Sequence, residues 1–131
     1  MIFLLKFWIF IQKIIIVTVL VGSVLFPKNG ILRVGFDIDD TILFSRDVFL
    51  NLPEDKQNPT DWGWINSHDE DFSLIMYPTV DLVHFFKENG HEVFFITARQ
   101  GPKGEVLAKF LTEELGFTIK VNKNLFFSPK E

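Results

Sequence analysis

The sequence predicts an α/β fold built on a parallel sheet, and three observations support that reading. Apolar runs at Ile31–Phe36 and Val93–Ile96 each read as a short buried strand. Each run ends abruptly in polar groups, Asp37-Ile38-Asp39-Asp40-Thr41 in the first case and Thr97-Ala98-Arg99 in the second. Two segments with apolar residues at helical spacing complete the pattern, one stopped by Gly90 and the other by Gly116. Strand alternating with helix favours parallel strands joined by helical crossovers.

The first segment, 1–26, has no acidic residue, and its strongly polar side chains are Lys6, Gln12 and Lys13. A basic start followed by the apolar run Ile14–Phe26 reads as an export signal, with small residues at Val21-Gly22-Ser23 for cleavage. Counted from Ile2, the same stretch is long enough for an uncleaved hydrophobic helix that anchors the chain in a membrane. A buried helix is the third reading. Pro27–Gly30 is a short polar linker with an Asn-Gly turn signal, and the first core strand is expected over 31–36. From Ser45 to Pro78 the chain is rich in Asp, Asn, Pro and Trp with weak periodicity, which predicts a loop-rich insertion holding one or two short helices.

Thr79 is expected to cap a helix through Asn89 with Val80, Leu82, Val83 and Phe86 buried. A strand is expected over 92–96. Pro102 or Lys103 opens the next helix, whose apolar set is Val106, Leu107, Phe110, Leu111 and Leu115. Residues 118–121 and 124–127 complete the map as further strand.

Composition narrows the function classes. The chain carries a formal charge of −4, and setting aside Lys6 and Lys13 with the first segment takes this to −6. So acidic a domain, with no basic stripe, excludes a general nucleic-acid polymer partner. The absence of Cys rules out disulfides and a lipid-modified cysteine anchor. Sixteen Phe and three Trp imply an aromatic core or an aromatic-lined pocket.

Ligands of open α/β sheets bind outside the carboxyl ends of the strands, which is where Asp37 and Asp39 fall. One carboxylate there can attack an electrophile while its neighbour moves the proton, and the pair can also hold a hard cation. A helix cap or a solvated turn is the bland alternative. The downstream strand end, Thr97-Ala98-Arg99, supplies a hydroxyl suited to binding an anion.

Phe36-Asp37-Ile38-Asp39-Asp40-Thr41 resembles the D-x-D-x-T signature of the haloacid-dehalogenase-like (HAD) phosphohydrolases, and Val93–Thr97 resembles their second motif. The interval between the motifs suits a core helix plus a small cap at about 45–78. Val34–Ser45 looks like the start of the class B (subfamily IIIB) secreted bacterial acid phosphatases. Asn58-Pro59, Trp62 and Asn66 resemble that group's Asn-Pro-x-x-Trp segment. Phe94–Arg99 resembles its Phe-Phe-x-Thr-Gly-Arg, with Ala98 replacing Gly. The class C acid phosphatases, which share the Trp-rich cap, are the nearest alternative. The resemblance covers about 31–127.

The resemblance implies a HAD-like, Rossmannoid sheet with flanking helices. It implies phosphomonoester hydrolysis with Asp37 as nucleophile and Asp39 as general acid and base. Mg²⁺ is implied at the Asp37 carboxylate and the Asp39 main-chain carbonyl, with Thr97 on a phosphate oxygen and Asp40 and Thr41 supporting the loop. Small phosphomonoesters are the implied substrates, an exported periplasmic or anchored protein the implied setting, and a homo-oligomer the implied assembly.

The family also uses a later lysine and a Gly-Asp-x-x-x-Asp-like loop. The sequence stops at Lys130-Glu131, with Lys130 as a candidate for the lysine and no residue for the loop. The fold is therefore expected to be incomplete at its C-terminus. An impaired module that binds phosphate or a nucleotide, or a remnant without function, stands as the alternative to an active phosphatase.

Arg99 stands either to steer phosphate or to pair with solvent. Trp62, Trp64, Phe44 and Phe72 read as cap packing or as a stacking surface for a leaving group. His68, His84 and His91 show no ligand spacing, and Asp69-Glu70-Asp71 reads as a solvated acidic turn.

Overall fold

The computed structural model describes residues 30–129. The first segment, 1–26, and Lys130 lie outside the described residues. In chain order the elements are β1 (Arg33–Asp37), β2 (Leu43–Phe44), α1 (Arg46–Leu50), a 3-10 turn at Glu54–Lys56 and α2 (Trp62–Phe72). They continue as β3 (Leu74–Ile75), α3 (Tyr77–Glu88), β4 (Glu92–Gln100), α4 (Gly104–Leu115) and β5 (Leu125–Ser128). Among these elements no helix is long and apolar enough to cross a membrane.

The main sheet has three strands in the order β1-β4-β5, all parallel, with Phe36 opposite Phe95 and Phe95 opposite Leu125. Parallel neighbours need crossovers, and α3 and α4 supply them. Both helices pack on one face, where Phe36, Val93, Phe95 and Leu125 meet Val80, Val83, Leu107, Leu111 and Leu115 in a single core. Phe94 and Phe126 meet on the opposite face at 6.2 Å between ring centroids.

A two-stranded antiparallel ribbon, Leu43 opposite Ile75 and Phe44 opposite Leu74, closes the base of the insertion. The insertion carries its own small core of Val48, Leu52 and Ile65, with Trp62, Trp64 and Phe72 packed on it.

Several boundaries differ from expectation, each for a local reason. The first strand starts at Arg33, so Ile31 and Leu32 lie outside it. Thr79 is not a cap. The helix begins at Tyr77, because the fixed φ of Pro78 suits the first turn. Leu82 and Val106 face solvent at 47% and 44% exposure, although their spacing suggested burial. Residues 118–121 form no strand. Ile119 N–H donates to Thr112 Oγ1 at 2.9 Å and Lys120 N–H to Asn124 Oδ1 at 2.7 Å, so side chains take the donors a ladder would use. Gly116, with φ of +70°, ends α4 in the left-handed conformation expected of a C-terminal glycine.

β4 departs furthest. It runs through Gln100, and its alternation of buried and open positions persists past Ile96.

Because Leu111 is fully buried between α4 and the sheet, Leu111→Ala is expected to lower unfolding free energy by about 2–5 kcal/mol. Leu82→Ala, on the open side of α3, is expected to change it by no more than about 0.5 kcal/mol. Urea unfolding followed by circular dichroism measures both.

Candidate active site

Asp37 is the last residue of β1 and alternates with the buried Phe36, so its carboxylate is exposed at the carboxyl end of the sheet. The turn that follows is wound on one buried residue. The Ile38 carbonyl accepts from the N–H groups of Thr41, Ile42 and Leu43 at 3.4, 3.0 and 2.9 Å. Asp40 donates its N–H to the Leu43 carbonyl at 2.7 Å. Its φ is +54°, a conformation that Asp tolerates better than most side chains. Asp40 and Thr41 thus shape the turn, and Asp39 inside it faces β4.

On β4 the buried positions are Val93, Phe95, Thr97 and Arg99. Thr97 Oγ1 accepts the Arg99 N–H at 3.1 Å and reaches Asp39 Oδ2 at 3.4 Å. Arg99 is only 1% exposed. Its Nε donates to Asp39 at 3.0 and 3.2 Å, and its Nη2 to Asp39 Oδ1 at 2.6 Å and to Asp69 Oδ1 at 3.1 Å. Nη1 donates to Asp69 Oδ2 and to Asn66 Oδ1, the latter at 3.3 Å. All five N–H groups of the fork therefore have protein acceptors. A phosphate contact at this guanidinium requires that one of these bonds be given up. The Phe49 ring of α1 lies 5.6 Å from the Arg99 Cζ.

The acceptors on the far side come from α2. Asp69 is 1% exposed and also accepts from Ser73 Oγ at 2.7 Å, so it is not the solvated turn its acidic neighbours suggest. Asn66 Nδ2 donates to the carbonyls of Gln100 and Pro102, both at 2.9 Å. Asp61 caps α2 by accepting the Trp64 N–H at 2.9 Å. Trp62, Ile65, Asn66 and Asp69 fall at helical spacing on one face, which makes the burial of Asp69 readable from position. The Arg99 signal was equally available, at even steps from Val93 through Phe95 and Thr97. Trp64 stacks on His68 at 4.1 Å between centroids and Phe72 lies beyond at 5.9 Å from Trp64. These aromatics belong largely to insertion packing.

Burial pushes the Asp39 carboxyl up, but the hydrogen bonds and charge of Arg99 outweigh it, with help from the Ser45 and Thr97 hydroxyls. The net pKa lies below the usual 3.8. Burial disfavours the charged form of Arg99, yet its bonds to Asp69 and Asp39 raise its pKa above the usual value, so it stays cationic.

Of the residues expected to hold a hard divalent cation, Asp37 has an exposed carboxylate, while the Asp39 carboxylate is committed to Arg99, which leaves its carbonyl. Among the described residues, no group of three His, Cys, Asp or Glu side chains could hold a metal. A one-carboxylate set suits Mg²⁺, which keeps several waters and shares substrate phosphate oxygens.

The family model of the HAD superfamily, subfamily IIIB (acid phosphatase), matches residues 13–130. The chain belongs to this subfamily. The class B acid phosphatase of Morganella morganii is 34% identical over 113 residues, covering 79% of this chain and 48% of that protein. Those of Xenorhabdus bovienii and Proteus mirabilis are 35% and 37% identical, each over 92 residues, covering 64% of this chain and 39% of the relative. The chain thus spans less than half the length of these curated relatives. The subfamily IIIB match reaches further toward the N-terminus than the motifs alone.

Arg99→Met leaves the Asp69 carboxylate buried without a counter-charge, and is expected to destabilise the fold by about 3–5 kcal/mol in urea unfolding. Acid acts on the same pair. With its pKa depressed, folded Asp39 stays ionised where the unfolded chain takes up a proton near pH 4. Its contribution is whole above that pH and fades as pH falls through the folded value. Thermal melts below about pH 4 are expected to show a steeper loss in the native chain than in Asp39→Asn.

Proposed function

We propose that the chain hydrolyses small phosphate monoesters through an aspartyl-phosphate intermediate. The observation that carries the reading is the exposed Asp37 at the carboxyl end of β1, with Asp39 two residues on, in a chain of the acid phosphatase subfamily. The Asp37 carboxylate attacks phosphorus, forming a new O–P bond as the ester O–P bond breaks. Asp39 gives its proton to the departing oxygen, then takes one from the water that cleaves the intermediate and frees Asp37.

Arg99 favours the ionised Asp39 that the second step needs. The first step needs the protonated form, which an acidic medium and an incoming phosphate dianion favour. The Thr97 hydroxyl, held to Asp39 only at 3.4 Å, turns to a non-bridging phosphate oxygen. Asp40 and Thr41 keep the turn in shape for both carboxylates. The Asp37 carboxylate and Asp39 carbonyl would hold Mg²⁺, whose charge would screen the anionic nucleophile from the anionic substrate. The basic and apolar 1–26 segment supports export, either as a signal or as an anchor facing the exterior. Self-association belongs to the same class B reading.

The test is phosphate release from an aryl phosphate by the full chain at mildly acidic pH, with and without Mg²⁺. Metal-dependent turnover is expected, with Asp37→Asn lowering kcat by about a thousandfold or more. Phosphate binding without turnover would replace the enzyme with a binding module.

A further inference from the structure

Asp69 belongs to the insertion, yet it is bound to the guanidinium that holds Asp39. The chemistry needs Asp39 in one place, within reach of both the leaving oxygen and the attacking water. Asp39 sits in a turn, its side chain 26% exposed, and its strongest partner is a long side chain with several rotatable bonds. The Thr97 hydroxyl reaches Asp39 only at 3.4 Å, so the place of the carboxylate is set chiefly by an arginine that must itself be held. A third, anchored point is required.

Asp69 supplies that point. It meets Nη1 and Nη2 with separate oxygens, so it binds the far edge of the fork in the two-pronged manner that sets the plane of a guanidinium. Its Oδ1 is held in turn by Ser73 Oγ. Asn66, one helical turn earlier, takes the remaining Nη1 donor and moors α2 to the chain just after β4. Nε and the second N–H of Nη2 are then left to face Asp39.

Stability does not account for this arrangement. Buried ion pairs are often no more stabilising than apolar groups of the same size, whereas their geometry is far more specific. We propose, on the phosphomonoester reading above, that Asp69 is a positioning residue: anchored by Ser73 and acting through Arg99, it sets the place of the Asp39 carboxylate. The insertion thereby helps to place a reacting group.

The test is steady-state kinetics of the full chain on an aryl phosphate with Mg²⁺. Asp69→Asn is expected to lower kcat about tenfold or more while KM moves less than about twofold, since misplacing a reacting group acts on the chemical step. In an Asp39→Asn background the same change is expected to cost no more than about twofold, because its target is already gone. Independent, multiplying losses would overturn the proposal, as would a loss confined to KM.

Should Asp69→Asn fail to fold, Ser73→Ala loosens the same anchor and is expected to lower kcat by about two- to tenfold at unchanged KM. An unchanged kcat there overturns the proposal. If the native chain shows no turnover, the phosphomonoester reading falls, and the clamp is judged separately by nitrogen-15 spectra of the Arg99 side chain. Resolved Nη–H signals that merge in Asp69→Asn, or in Ser73→Ala, uphold the anchor. Signals indifferent to these changes remove it.

Discussion

A guanidinium withdrawn from water must have each of its donors met by protein, and in meeting this demand Arg99 ties together three separate stretches of chain, its own included. Asp39 comes from the turn after β1, Arg99 from the end of β4, and Asn66 and Asp69 from the insertion helix. Unpaired buried charge costs several kcal/mol, so these stretches are bound to a common arrangement. The register of β1 on β4, the length of β4 and the seating of α2 all depend on that one side chain reaching its acceptors. The Asn66 bonds to Gln100 and Pro102 extend the constraint into the start of α4.

The sheet explains why reactive groups gather where they do. β1 and β4 run parallel, so their carboxyl ends lie side by side, and Asp37, Asp39 and Thr97 come together although the insertion and α3 separate them in sequence. The two carboxylates then diverge in environment. Asp37 is exposed at the strand end, while Asp39 is tethered to a cation. Such different surroundings suit the tasks proposed for them, attack by Asp37 and proton transfer by Asp39. The subfamily IIIB match is consistent with this division of labour.

Much of this was legible in the residues. The two apolar runs marked the central strands, and the acidic and hydroxyl ends of those runs marked the candidate site. Periodicity placed α3 and α4 closely, missing the α3 cap by three residues, Met76 instead of Thr79, because proline chemistry at Pro78 outranked a capping hydroxyl. The Arg99 network was not read. Thr97-Ala98-Arg99 looked like a loop because polar residues usually end strands, whereas a charged residue continues the alternation when a partner waits inside. That partner, Asp69, was masked by the acidic residues Glu70 and Asp71 beside it. Its burial depends on a contact 30 residues away, which local pattern does not encode. The failure of 118–121 as a strand has the same origin, since Thr112 and Asn124 reach it from elsewhere in the chain.

The proposed chemistry rests on Asp37 as the group that bonds to phosphorus. The most direct measurement is acid-quench trapping of the full chain with a radiolabelled phosphomonoester and Mg²⁺, followed by peptide mapping. A hydroxylamine-sensitive acyl phosphate on the peptide containing Asp37, absent in Asp37→Asn, is the predicted result. Turnover with no protein-bound phosphate, or a label on any other residue, would contradict it.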